Sequence, residues 1–473
     1  MSRTPFWQPR GARRRGVLLV LALGGLLVLA ICGASAAATA GAAPHRIILD
    51  PAATPSWSHA FHGPGASADA AVDVALAANG VAYIAGNVGD GLARDASLMK
   101  LIDGVPAWAT PKTYDSPYHS VDETRRIALG PGDAIYTSGT SLGASGLPDM
   151  LLLKWSASGA VKWARRYDGP AHGADQAMAL TVDSAGNVTV GGYSADGTSV
   201  DWMVVSWSAS GGRRWTSRSS LGVLHEMYPM DLVAAKDRSV YASGIAATVT
   251  DASAMTVRYS PAGKTLWKDV YAGPAGLRAM TYAAAARPGG GVYVCGTTTS
   301  VGTGSDGLVM SYTPTGERDV FALDVGPGGA GAQQFKDLAV TSTKQVVAVG
   351  STTSGVSSDC RAVSYSTAGT IAGQVTLPGA WDDRFVAVAA DSFGGFYATG
   401  TYHSAVDKTG ILTVRGSVLI GGGGFLSLWA PAFVSVDNEP HAIAVRGSTA
   451  VVAGECKEGA AQGVDQIVLG YVY

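Results

Sequence analysis

A scattered set of ionisable side chains sits in short loops that lead into apolar, strand-like runs. They are His62, Asp69, His119, Asp122, Glu123, His172, Asp175, His225, Glu226, Asp382, Asp383, Glu439 and His441. Carboxylates and imidazoles brought together could hold a divalent cation such as calcium, or a basic or sugar ligand in a concave site. No pair among them has metal-ligand spacing, and their register shifts from loop to loop, so turn capping is the competing role. His62, Asp69, His119, Asp122, His172, Asp175, Asp382, Asp383, Glu439 and His441 form the candidate ligand site. No catalytic, cofactor-binding or metal-binding residue is assigned, and no cofactor is expected beyond that cation.

Other motifs dissolve on inspection. Gly139-Thr140-Ser141-Leu142-Gly143 matches a nucleophile elbow, but such an elbow needs a strand entering a helix, and this one leaves a strand into a hairpin. Gly263-Lys264-Thr265 lacks the upstream glycine of a phosphate loop. His225-Glu226 lacks the second histidine of a zinc motif.

The elements that must position these loops repeat. Short β-like runs end on Gly86, Gly139, Gly192, Gly244, Gly296, Gly350, Gly400 and Gly454. A regular period of this length marks a repeat architecture. One unit, Ala177 to Ser217, divides into four strand-length pieces with turn chemistry at Asp183–Asn187 and Ser208–Gly212. Four antiparallel strands per unit describe a propeller blade.

Two further series keep step. Asp95, Asp149, Asp201, Ser253, Asp306, Asp359, Thr409 and Asp465 precede the third strand. Because the series recurs in every unit, it reads as turn hydrogen bonding and not as a ligand ring. Trp57, Trp108, Trp163, Trp215, Trp267 and Trp429 mark the fourth strand, and they read as packing between neighbouring blades.

The segment around Trp57 matches a fourth strand, while the chain stops at Tyr473 just after a third. Exchange of that strand would close the ring and remove its exposed edges. The expectation is therefore all-β: an eight-bladed β-propeller of four-stranded antiparallel blades, spanning 54–473 and closed by N- and C-terminal strands. Seven blades is the runner-up, if the seventh unit, with Arg415 for an aromatic and Gly421–Gly424 inserted, forms no blade.

Composition agrees. Sixty-three glycines, 21 prolines and 15% charged residues suit short strands and tight turns. The first 40 residues hold five arginines and no acid; the remainder is acidic, which argues against nucleic acid. Arg3 to Arg15, an apolar run from Val17 to Cys32 and small residues to Ala43 give the order of a signal peptide. Residues 1–40 are thus a signal peptide or a membrane anchor through 17–40, and 41–53 a linker. Cys295, Cys360 and Cys456 lie in three different units and form no disulfide framework.

The unit from Asp149 to Gly192, with Lys154, Gly159, Trp163, Gly169, Asp183, Gly186 and Asn187, resembles the bacterial SBBP-type β-propeller repeat. That resemblance implies a secreted or cell-surface protein. The Gly263–Trp267 portion is also similar to the blade-docking motif of eight-bladed quinoprotein dehydrogenases. That family carries pyrroloquinoline quinone, calcium and a vicinal disulfide, but no Cys-Cys pair exists here.

The reading is an exported, monomeric, non-catalytic module that binds protein or carbohydrate in the envelope or outside the cell. Its membrane contact would come through the N-terminal segment alone. The alternatives are a propeller enzyme (lyase, hydrolase or quinoprotein-like) with a site at the channel mouth, and a purely structural surface protein.

Overall fold

The computed structural model describes residues 45–46, 48–49, 55–61, 63, 69–89, 94–222, 225–326, 329, 331–355, 357–378, 381–404, 408–417, 425–429, 438–457 and 464–472. Residues 1–43 and 44–473 are separate units. The export segment and His62 lie outside the described residues. No helix among the described residues is long and apolar enough to cross a membrane. Apart from 3-10 turns, as at Pro274–Gly276, their regular structure is all β, in several antiparallel sheets.

The best-patterned unit shows why. Strands Asp175–Val182, Val188–Ala195, Val200–Trp207 and Arg213–Ser219 pair in that order. The first turn is closed by Asp183 Oδ1, which accepts the Ala185 and Asn187 N–H groups at 2.9 and 2.8 Å. At the second, Ser208 Oγ accepts the Gly212 N–H at 3.1 Å. Side-chain oxygens thus mimic backbone acceptors where the chain reverses.

The periodic glycines have a steric cause. Each innermost strand carries one bulge, and the recurrent glycine of the second strand lies opposite it. A bulge pushes its backbone toward the partner strand. A Cβ at Gly244 would lie 1.9 Å from the Tyr228 carbonyl oxygen, and one at Gly350 1.9 Å from that of Gln334. The second strands do not end at these glycines, as the pattern implies, but run through them, as Val240–Thr248 does through Gly244.

The tryptophans dock one unit on the next. Trp215 stacks on Tyr259 at 5.8 Å and donates from Nε1 to the Pro261 carbonyl at 3.2 Å. Trp267 repeats this with Tyr312 at 5.5 Å and Pro314 at 3.0 Å. Buried clusters accordingly span neighbouring units, as where Ala179 and Val204 meet Leu232 and Val257. In the first unit the strand at Trp108 is broken into Val105–Pro106 and Lys112–Tyr114. Pro106 and Pro111 lack the N–H groups that a continuous ladder needs.

Trp57–Phe61 pairs antiparallel with Val464–Val472, in register from Trp57 opposite Gly470. That last sheet shares a buried cluster with the first, with Val451, Ala453 and Val468 packing among Ala71, Ala82 and Ile84. The irregular seventh unit forms four paired strands, Arg384–Ala390, Gly395–Ser404, Lys408–Ser417 and Phe425–Trp429. Its Arg415 is buried, bonds Asp391 Oδ2 at 3.0 Å and lies over the Tyr397 ring.

The segment expected as a linker also pairs. His45–Arg46 runs parallel to Gly373–Gln374, and Ile48–Leu49 antiparallel to Gly416–Ser417. Both occupy backbone groups that an outer strand leaves open.

Candidate functional site

The bulges give the innermost strands a common register. The residue left unpaired is, in chain order, Val72, Arg125, Met178, Met230, Tyr282, Lys336, Val386 and His441. The next residue is Asp73, Arg126, Ala179, Asp231, Ala283, Asp337, Ala387 and Ala442. The first layer holds cations and no acid. The second holds three carboxylates and one guanidinium.

Those three carboxylates are joints. Asp73 accepts the N–H of Val74 at 2.8 Å and, from the neighbouring inner strand, that of Ile127 at 2.9 Å. Asp231 does the same with Leu232 and Ala284, and Asp337 with Leu338 and Val388, all at 2.8 Å. Burial pushes Asp231 up to about 6 and Asp337 up to about 7, against the pull of these N–H groups and of Arg126. Asp73 is raised by burial too. A carboxylate near neutrality could move protons, but here both oxygens are engaged by backbone.

The sequence-predicted residues do not converge. Asp69, Asp122, Asp175 and Asp383 occupy one equivalent place, three residues before the bulge, and all are fully buried. Each fastens a loop. Asp69 accepts the N–H groups of Gly63 and Gly89, Asp122 that of Ser116 at 2.6 Å, Asp175 that of Gly169 at 2.6 Å and Asp383 that of His403 at 2.7 Å. Burial raises Asp122, Asp175 and Asp383, and these hydrogen bonds oppose it.

His119 and His172 are exposed and turn back on Asp115 and Asp168, at 2.5 and 2.7 Å. The hydrogen bond from Asp168 raises His172. Asp382 accepts the Ser358 N–H at 3.0 Å, and Glu439 lies 4.0 Å from Arg384. Four different surroundings cannot form one ligand shell.

Two carboxylate trios could hold a cation: Asp95, Asp115 and Asp122, and one unit later Asp149, Asp168 and Asp175. Burial, then Asp115 and Asp122, raise Asp95 to about 6. Protein side chains already stand there, with Arg166 Nη2 on Asp149 at 2.9 Å and the two histidines on Asp115 and Asp168. The series Asp149 and Asp201 therefore binds arginine and histidine side chains, not turn backbone. Asp201 holds Arg218, and its Oδ1 lies 2.6 Å from His225 Nε2.

No family model matches the chain, and no curated protein matches it. Among solved structures it is similar to Chaetomium thermophilum Sqt1 bound to the N-terminus of the ribosomal protein L10. The TM-score is 0.54 at 12% identity, over 88% of this chain and 98% of that one. Sqt1 on its own gives 0.50 at 12% identity, over 88% and 100%. The fold is β-propeller-like.

Part of the unpaired layer, Val72, Arg125, Met178 and His441, faces open space. A cavity of about 310 Å³ opens there, lined by Val72, Asn87, Glu123, Thr124, Arg125, Arg126, Met178 and His441. Four blades contribute. Glu123 pairs with Arg94 at 2.8 Å, His441 lies 3.6 Å from Glu455, and Arg125 Nη2 donates to Gln176 at 3.3 Å. Arg125 Nε and Thr124 Oγ1 are buried without a hydrogen-bond partner. Elsewhere in the layer Lys336 lies 4.8 Å from the centre of the Tyr282 ring, its pKa lowered by burial and then by Arg384.

A second cavity, about 490 Å³, lies between the loops 195–200 and 247–249 and reaches His225 and Glu226. Its histidine is committed to Asp201, and Glu226 accepts the Tyr228 hydroxyl at 2.9 Å.

Of the ten candidates, only His441 among the described residues lines the first of these cavities. Arg125, Arg126, Asp73, Asp231 and Asp337 were missed. The signal was a charged residue inside an apolar first strand, as in Ala71-Val72-Asp73-Val74-Ala75 and Phe335-Lys336-Asp337-Leu338. An ionised side chain in such a run needs a partner or a wet channel.

Proposed function

We propose that this chain is an exported, non-catalytic β-propeller of the SBBP type that binds a polar ligand, protein or carbohydrate, at its channel mouth. The observation that carries the reading is the mouth cavity, whose Glu123, Arg125, Arg126 and His441 break the repeat where four blades meet. Residues present in every unit serve the scaffold, whereas residues that differ between units at one mouth can serve a ligand. Non-catalysis is favoured because Asp73, Asp231 and Asp337, the raised carboxylates next to the unpaired layer, are spent on backbone joints.

The propeller has eight blades, the eighth completed by Trp57–Phe61. Support comes from the pairing of that strand with Val464–Val472 and from the cluster shared by the first and last sheets. Export rests on the arginine-rich, apolar N-terminus, and the acidic remainder leaves nucleic acid out.

The test is an array of glycans and peptides probed with the full chain and with Arg125→Ala, alongside fractionation of the producing cells. Retention of every hit by Arg125→Ala, or a purely cytoplasmic protein, would sink the reading.

A further inference from the structure

We propose that the channel mouth recognises an acidic sugar, a hexuronate unit of a polysaccharide, with Arg125 taking its carboxylate. The inference rests on the reading of the mouth as a ligand site and names the chemistry of its ligand.

Charge is the first ground. Arg125, Arg126 and Lys336 have no ion pair within 4.0 Å among the described residues. Arg126 stands beside the carboxylate layer of Asp73, Asp231 and Asp337, each of which feels its charge. Arg125 has no such company, and its one side-chain hydrogen bond among the described residues is to the neutral Gln176.

Unmet hydrogen bonding is the second. Arg125 Nε is a buried donor without an acceptor. That atom is closed to solvent, so an arriving acceptor would meet the Nη groups where Arg125 lines the cavity. Carboxylate suits them, because a guanidinium grips two coplanar oxygens through parallel N–H bonds.

The neighbours decide what carries that carboxylate. Glu123 Oε1 receives Arg94, and the remaining carboxylate oxygen calls for a donor. A sugar ring with one carboxylate and adjacent hydroxyls meets an arginine and an acid side by side. An acidic peptide brings carboxylates but no ring hydroxyls to donate to Glu123. The cavity, about 310 Å³, falls at the small end of ligand pockets, roughly 300–1,000 Å³, and suits one or two sugar units.

Calorimetry of the full chain with tri-galacturonate, its methyl ester, maltotriose and hexaglutamate tests this. Tri-galacturonate should bind, the ester at least tenfold more weakly. Arg125→Gln should lose at least tenfold with its melting temperature unchanged, while Lys236→Gln, at a separate cavity, should bind like wild type. Should Arg125→Gln misfold, Arg125→Lys, which keeps the charge and loses the fork, should weaken binding too. Failure of tri-galacturonate to bind, equal binding of the ester, or hexaglutamate binding as tightly overturns the inference. Maltotriose or peptide binding lost in Arg125→Gln, without uronate binding, overturns the acidic sugar and keeps the mouth. Uronate binding untouched in the Arg125 variants overturns the mouth itself.

Discussion

The Asp337 carboxylate accepts the backbone N–H of Val388 at 2.8 Å, so one inner strand is tied to the next by a side chain. Among the described residues no ladder joins the inner strands of neighbouring units. Asp73 and Asp231 make the same joint to Ile127 and Ala284, whereas one other unit places Arg126 at that position and four place alanine, as at Ala179 and Ala283. A joint of this kind is strong when ionised and costly to bury, and that sets its pH response.

Folded Asp337 titrates at about 7 and Asp231 at about 6, above the 3.8 of a free aspartate. A raised carboxylate adds stability below its unfolded value and loses it as pH climbs through the folded one. Wild type should therefore lose stability from about pH 4 to about pH 7 through these groups. Asp337→Asn should flatten that fall, while giving up a backbone acceptor at a cost of about 1–3 kcal/mol. Chemical denaturation across that range checks both, and an unchanged pH slope in the variant refutes the assignment.

Gly244→Ala should destabilise by about 1–3 kcal/mol, the usual cost of overpacking, because the new methyl meets the Tyr228 carbonyl. Gly197 has a φ of +88° but nothing within 4 Å of a Cβ. Gly197→Ala should then cost only its backbone strain, about 1–2 kcal/mol. Urea midpoints of the two variants separate crowding from conformation.

Trp215 covers Gly263 of the next blade, where φ is +83° and a Cβ would lie 2.5 Å from the indole. Trp215→Ala should cost about 3 kcal/mol, the lower end of the range for a large aromatic, since its ring is only partly buried. Gly263→Ala should also destabilise, and the two losses should not add, because both break one contact. A double-mutant cycle measures this.

Calcium should leave the melting temperature unchanged, because Arg166, His119 and His172 already stand on the two carboxylate trios. Binding to the native state alone would raise it with the logarithm of the ligand excess. A calcium-dependent rise in a thermal melt would overturn that account.

Much of the fold was legible in the residues. The spaced glycines and tryptophans set the unit length, and the fourth-strand pattern at Trp57 with the third-strand pattern before Tyr473 pointed to strands that pair. Even there the meaning of the glycines was hidden. A bulge is one extra residue, and no local propensity reveals that Gln176 will press its carbonyl toward Gly192.

The site was the harder part. Loop chemistry drew attention to Asp69, Asp122, Asp175 and Asp383, and the fold used each to fasten its own loop. By itself the sequence determined the strands, the turns and the repeat, because those depend on residues a few positions apart. Only the tertiary structure decided that Val72, Arg125, Met178 and His441, which lie far apart in the chain, share one cavity. Convergence depends on how sheets pack around an axis, and packing is a property of all the units together.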